Sequence, residues 1–170
     1  MNQAMLLHKA ALSFGDRPAV SAGTMLLFTY GDLSDRAARL ATALRGQLGL
    51  NKGDRVAIMM TNAPAFFEVL YGAWHAGLAA VPINAKLHPR EAAYILENSG
   101  ARVCVISADL AATITPLQDE IDSLDTVVPA SGGNYQALFS GPGAPIVDCT
   151  PEDLAWLFYT SGTTGRPKGA

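Results

Sequence analysis

Between residues 55 and 106 the chain alternates short apolar runs with longer segments of helical spacing, and this alternation narrows the fold more than any other feature. Arg55-Val56-Ala57-Ile58-Met59 reads as a strand, residues 63–76 as a helix with Pro64 in its first turn, and residues 79–83 as a second strand. Pro89 begins a further helix that Gly100 closes, and a β-branched strand follows at 102–106. Residues 109–117 read as helix and 125–128 as a short strand. Strands that are apolar along their whole length need cover on both faces, and parallel strands are joined by right-handed crossovers. The expectation is an α/β layered domain with a mainly parallel sheet and helical crossovers. In it, 55–59, 79–83 and 102–106 are neighbouring parallel strands.

The flanking sequence fits around that centre. A first helix runs through Leu12, and residues 19–29 make two short strands turning around Ala22 and Gly23. Thr29 opens the next helix, with Asp32 three residues on in the Glu position of a capping box. Leu33, Ala37, Leu40, Leu44 and Leu48 carry its apolar face, and Gly49 ends it. Residues 129–145 shift to Ser, Gly, Asn and Pro, a surface connection with one helical candidate at 135–139. After a turn at 150–153, residues 154–160 read as a strand that delivers the chain to a Gly- and Thr-rich loop.

Composition removes several function classes. With 170 residues, 49% of them hydrophobic and 16% charged, the chain can bury a sizeable core. A net charge of -3 without a basic block offers no footprint for nucleic acid, which needs clustered Lys and Arg. Residues 56–85 carry almost no charge, but Asn62, Pro64, Glu68, His75 and Pro82 interrupt them at intervals that suit buried strands and a helix, so no membrane span is expected. The first residues lack the continuous apolar centre of a signal peptide, which makes a cytoplasmic protein the expectation.

Cys104 and Cys149 are too few and too far apart for a disulfide scaffold or a zinc site and read as buried, reduced thiols. His8, His75 and His88 are scattered, so they read as ordinary core or surface residues and no metal ligand is assigned. Phe66, Phe67, Leu70, Ala73 and Trp74 read as a core stripe, and Asp109, Asp119, Glu120, Asp122 and Asp125 as a solvated acidic face.

The residues that carry chemistry are Tyr159-Thr160-Ser161-Gly162-Thr163-Thr164-Gly165-Arg166-Pro167-Lys168-Gly169. The glycines let the backbone approach a ligand closely and turn successive amides toward an anion. Thr160, Ser161, Thr163 and Thr164 each bring a hydroxyl donor, and Lys168 brings a compact positive charge suited to phosphate. Composition alone describes a flexible linker, but the order of the residues argues for a site. It is not the nucleotide P-loop with four residues between its glycines, since here the glycines are closer, Pro167 precedes the lysine and Gly169 follows it.

This segment closely resembles the signature of the acyl-adenylate-forming superfamily, which includes acyl-CoA synthetases, aryl-CoA ligases, luciferases and peptide-synthetase adenylation domains. Phe28-Thr29-Tyr30-Gly31-Asp32-Leu33, Gly53-Asp54-Arg55-Val56-Ala57-Ile58, Gly77, Pro82-Ile83-Asn84, Glu91 and Ser99-Gly100-Ala101 also fall where such enzymes have similar residues. The resemblance implies that residues 1–170 are the N-terminal part of the large domain of such an enzyme, with 159–169 as its phosphate-binding loop. It further implies a two-step ligase: a carboxylic acid attacks the α-phosphate of ATP to give acyl-AMP and pyrophosphate, and a thiol, commonly coenzyme A, then takes the acyl group.

Thr160, Ser161, Gly162, Thr163, Thr164, Gly165 and Lys168 would hold the β- and γ-phosphates, with Mg²⁺ sharing the task. Asn84 favours an acyl- or aryl-CoA synthetase, because peptide-synthetase adenylation domains usually carry an acidic residue there. A fatty acid is the first expectation, with an aryl-CoA ligase or an amino-acid-activating domain as alternatives. The family's later elements, including its catalytic lysine, have no counterpart in these residues, so no catalytic residue is assigned and the chain alone is expected to be inactive. A non-catalytic stand-alone module of the same fold is the reading from another class. Without nucleotide, residues 162–170 are expected to be loosely held.

Overall fold

The structure is a computed structural model that describes residues 1–160 and 167–170. The elements are α1 (Ala4–Phe14), β1 (Pro18–Ala22), β2 (Met25–Thr29), α2 (Tyr30–Gly46), β3 (Arg55–Met59), α3 (Pro64–His75), β4 (Ala79–Ile83), α4 (Pro89–Ser99) and β5 (Ala101–Ile106). They continue as α5 (Ala111–Ile114), β6 (Thr126–Pro129), α6 (Gly132–Ala137), β7 (Tyr159–Thr160) and β8 (Lys168–Gly169).

The centre is a four-stranded sheet in the order β4-β3-β5-β6, with every pair parallel. Its strands are buried on both faces, and successive residues serve different cores, as the period of two in a strand requires. Val56 and Ile58 of β3, with Val103 and Val105 of β5, join Leu40, Leu44, Val69 and Ala73 of α2 and α3. Ala57 and Met59, with Cys104 and Ile106, join Ala92, Ile95 and Leu96 of α4 and Ile114 of α5. The β1–β2 hairpin is antiparallel and packs with Leu7 of α1 and Leu33 and Ala37 of α2 in a third, smaller cluster.

Local chemistry explains where the helices begin and end. At the start of α2 the Thr29 hydroxyl accepts from Asp32 N–H at 3.1 Å, while the Asp32 carboxylate accepts from Thr29 N–H at 2.9 Å. At the start of α4, His88 Nδ1 accepts from Arg90 N–H and Glu91 accepts from His88 N–H. That helix stops at Gly100, whose φ of 60° is the left-handed conformation a glycine takes most readily.

Several boundaries depart from the sequence reading. Helix α2 ends at Gly46, and Gln47 and Leu48 N–H turn back to Ala43 O before Gly49 redirects the chain. The expected helix at 109–117 is broken into 3₁₀ turns at Ala108–Leu110 and Thr115–Asp119 around the single turn of α5. Pro116 has no N–H to donate and cannot continue an α-helix. Strand β6 and helix α6 start one and three residues from their expected positions, at Thr126 and Gly132.

Phe67 is 43% exposed, so the expected core stripe of α3 loses one member. Cys104 is buried, but Cys149 is only half-buried. Asp125 is not merely solvated: its carboxylate pairs with Arg102, which also holds Asp54.

The largest correction concerns residues 154–160. They do not form one strand. Trp156 makes a single parallel bridge with Ala80 at the outer edge of β4, and only Tyr159–Thr160 is a strand, paired elsewhere. Pro82 explains the stop. Ala80 N–H and O both point to this edge, donating to Ala155 O and accepting from Leu157 N–H. The next residue with the same orientation is Pro82, which has no N–H for a further rung.

Candidate functional site

From residue 141 onward the chain is fixed by a series of single bonds to the elements beneath it. Arg39 Nη1–H donates to Gly141 O at 3.0 Å, and the Thr42 hydroxyl donates to Pro142 O at 2.7 Å. His75 Nε2–H donates to Ala144 O at 2.7 Å, and Asn2 Nδ2–H donates to Val147 O at 2.8 Å. Lys52 pairs with Asp153 at 2.7 Å. Trp74 Nε1–H then donates to Ala155 O at 2.8 Å. The Trp156 ring meets Trp74 edge-on at 4.7 Å and stacks on Phe158 at 4.8 Å. These rings are large, rigid apolar surfaces, and they set the height at which the chain leaves β4.

The chain then enters the segment singled out by its sequence. Strands β7 and β8 are antiparallel, with Thr160 opposite Lys168 and Tyr159 opposite Gly169. Phe158 and Ala170 exchange two further backbone bonds, at 3.1 and 2.8 Å. Directly opposed residues put their side chains on the same face of a hairpin, so the Thr160 hydroxyl and the Lys168 ammonium share one face. Both residues are exposed, and Lys168 makes no ion pair among the described residues. The ladder closes the two ends of 161–167 on each other.

Ser161, Gly162, Thr163, Thr164 and Gly165, five of the seven residues assigned to phosphate binding, lie outside the described residues, as does the expectation that 162–166 are loosely held. Lys168, Gly169 and Ala170, which shared that expectation, are paired to 158–160.

The tie that sequence reasoning missed runs from Tyr159 to α4. The Tyr159 hydroxyl donates to Asn98 Oδ1 at 2.7 Å. Burial, and then the neighbouring Tyr94, raise its pKa, so it remains a protonated donor near neutrality. The ring also covers Gly169, where a Cβ would stand 3.1 Å from Tyr159 Cζ and 3.3 Å from Leu157 Cδ1. A side chain at 169 would therefore press on the Tyr159 ring unless the ring gave way by a few tenths of an ångström. Nothing in the sequence marks Asn98, which reads as an ordinary residue of the last turn before Gly100.

The remaining reactive groups have structural roles. Burial pushes the Cys104 thiol up to about 12, so it is no nucleophile near neutrality. The buried Glu68 carboxylate accepts from Arg36 Nε–H and, at 2.8 Å, from the Tyr135 hydroxyl. Arg36 Cζ stands over the Phe139 ring, 3.8 Å from its centroid, and the Glu68–Tyr135 bond completes a polar cluster that ties α2 and α3 to α6. Among the described residues no group of three or more His, Cys, Asp or Glu could hold a metal ion. No helix among them is long and apolar enough to cross a membrane.

Comparison with known proteins follows the same lines. The sequence profile described as AMP-binding enzyme matches residues 7–170. The long-chain-fatty-acid–CoA ligase FadD13 of Mycobacterium tuberculosis is 36% identical over 168 residues, covering 97% of this chain and 33% of that protein. The feruloyl-CoA synthase of an Amycolatopsis species is 38% identical over 148 residues, covering 87% of this chain and 28% of its own. Among solved structures, the inhibitor-bound N-terminal domain of FACL13 from Mycobacterium tuberculosis superposes with a TM-score of 0.86 at 35% identity, over 99% of this chain and 43% of that one. The chain thus spans about a third of the length of the curated relatives it matches. With nearly every residue inside the matched profile and the sheet reproduced by a solved relative, this chain belongs to the AMP-binding enzyme family.

Proposed function

We propose that this chain carries the ATP-phosphate loop of an acid–thiol ligase that converts a carboxylic acid, in the first instance a fatty acid, to acyl-AMP and then to an acyl-CoA. In this reading residues 1–170 are the N-terminal part of the enzyme's large domain, and 159–169 are the loop. The observation that carries the proposal is the pairing of Thr160 with Lys168. It brings two of the assigned phosphate-binding residues to one face at the base of the loop and leaves the lysine without a carboxylate among the described residues.

The donor set fits phosphate. The Thr160 hydroxyl donates to a phosphate oxygen, and Lys168 opposes the charge of the departing pyrophosphate. The hydroxyls of Ser161, Thr163 and Thr164 and the amides about Gly162 and Gly165 add neutral donors that cost no charge repulsion. Mg²⁺ would supply further charge neutralisation when it accompanies ATP, and the loop itself offers it no anionic ligand, because Thr and Lys provide none. ATP and coenzyme A are cytoplasmic metabolites, and the cytoplasm is where we place the enzyme.

A lysine about 4 Å from a phosphate gains roughly 4 kcal/mol of Coulomb energy at an effective dielectric of 20. Desolvation and screening reduce this to about 1–3 kcal/mol, the usual worth of a hydrogen bond to a charged group. In the full-length enzyme containing this sequence, Lys168→Ala is therefore expected to lower kcat/KM for ATP by roughly 5- to 150-fold in carboxylate-dependent ATP–pyrophosphate exchange. Unchanged kinetics would remove Lys168 from the site. A second reading, an aromatic acid as substrate, is favoured by the feruloyl-CoA synthase, which is 38% identical over 148 residues. The same exchange assay run with fatty, hydroxycinnamic and benzoic acids separates the two.

A further inference from the structure

We propose that Tyr159, held by Asn98, is a positioning residue that fixes the base of the phosphate loop and so the place of Lys168 relative to bound ATP. The proposal rests on the phosphate-loop reading. Three observations carry it. First, the sheet's backbone ladder does not extend to the base of the loop. Its last backbone bond to 154–160 is at the Trp156 bridge, where Leu157 N–H donates to Ala80 O, and Pro82 prevents another rung. Past it, among the described residues, only the Leu157 and Tyr159 side chains pack against the core of β3, β4 and α4. Beyond that bridge, β7 has a backbone partner in β8 alone among the described residues, and a ladder of two residue pairs fixes its members to each other but not to the domain.

Second, the tie from Tyr159 ends on a rigid element. Helix α4 has a capping box at one end and a left-handed glycine at the other. Its Ala92, Ile95 and Leu96 are fully buried in the core. A hydrogen bond of 2.7 Å to Asn98 Oδ1 therefore refers the loop base to the centre of the domain.

Third, the ring transmits that position across the hairpin. Tyr159 lies against Gly169 so closely that a Cβ there would stand 3.1 Å from Cζ and 3.3 Å from the hydroxyl oxygen. Leu157 closes the other side at 3.3 Å. Turning the ring displaces residue 169, and Lys168 moves with it. Losing the hydroxyl's anchor lets the ring turn, and the ammonium then samples positions off the phosphate.

The test uses the full-length enzyme, with ATP–pyrophosphate exchange and thermal melting measured for Tyr159→Phe, Asn98→Ala, Asn98→Asp, the Tyr159→Phe/Asn98→Ala double variant and Lys168→Ala. Tyr159→Phe and Asn98→Ala are each expected to raise KM for ATP by about 3- to 10-fold, the range set by one hydrogen bond, with KM for the acid unchanged. The double variant should be no worse than either single one, because both remove the same bond. Asn98→Asp keeps an acceptor oxygen and should recover most of the loss.

A purely structural bond would instead lower the melting temperature and affect both substrates alike, which overturns the proposal. So does an unchanged KM for ATP in Tyr159→Phe while Lys168→Ala is impaired, a result that leaves the phosphate-loop reading standing. If Lys168→Ala is itself unimpaired, that reading fails and this one with it.

Discussion

Strand β3 has a parallel partner on each edge and a hydrophobic cluster on each face, whereas residues 154–160 meet the backbone of the same sheet at one bridge and are otherwise held by side chains and by a short ladder to 168–170. The difference lies in how many independent contacts fix each position. Ile58 is paired with Pro82 and Val105 in register and fully buried, so no single neighbour decides where it sits. Ala155 is placed by two donors, Trp74 Nε1–H and Ala80 N–H, and Tyr159 by one hydroxyl and a two-residue ladder, each with only a partly buried side chain against the core. The segment that carries the proposed chemistry is thus the one most open to adjustment by single substitutions, while the sheet beneath it stays unchanged.

The largest expected effect lies in the sheet. Ile58→Ala removes buried methylene and methyl groups from a site whose neighbours are held on all sides and cannot collapse inward, so a loss of about 3–4 kcal/mol is expected. Urea unfolding should show it as a lower midpoint with an unchanged slope. A loss below about 1 kcal/mol would mean that the sheet relaxes around the cavity, and the contrast with the edge segment would weaken.

An intermediate effect is expected at the junction. Trp74→Phe keeps most of the ring surface and removes the N–H that holds Ala155 O, for a cost of about 1 kcal/mol. Because the bond is local, amide exchange should quicken at Leu157, whose N–H donates to Ala80 O, while the amides of β3 keep their protection. Equal quickening in β3 would show that the two regions open together and that the comparison is false.

This contrast also explains what could be read from the sequence. Strands β3 and β4 were bounded correctly to the residue because their signals are local: an apolar run, a helix start at Pro64, and a turn at each end. Gly100 and the Thr29–Asp32 box were legible for the same reason. The apolar composition of 154–160 suggested a strand, and the apolar residues are indeed used, but Trp156 and Phe158 stack on each other instead of extending a sheet. What stops the ladder is Pro82, more than seventy positions earlier, a pairing that no local pattern encodes. At the candidate site the chemistry of Thr160 and Lys168 was legible in residue type and order. Their support by Asn98 and Trp74 was not, since each reads as an ordinary helix residue until the tertiary fold brings it against Tyr159 or Ala155.

The smallest expected effect is a dependence on pH that originates where the segment crosses α3. His75 is buried at the end of that helix, and its Nε2–H donates to Ala144 O. Burial holds its pKa below the usual histidine value against the opposing pull of the Ala144 carbonyl, with a small further push from His8. The unfolded chain, with a histidine near 6.5, therefore binds a proton more readily than the folded one. Stability tied to neutral His75 is fully present above about pH 6.5 and is lost as pH falls through the lower folded value. The loss begins near pH 6.5, above the ordinary range of the carboxylates near 4, so its onset can be followed before they titrate. His75→Gln supplies a donor for Ala144 O and cannot take up the proton. Urea midpoints measured from pH 8 down to 5.5 should fall in the parent chain and fall less in the variant. Equal slopes would place the titration elsewhere and would mean that the 141–147 stretch is not held through a neutral imidazole. A steeper fall in amide protection at Val147, whose N–H donates to His75 O, than in β3 would locate the loss on the side-chain-anchored segment, as the comparison requires.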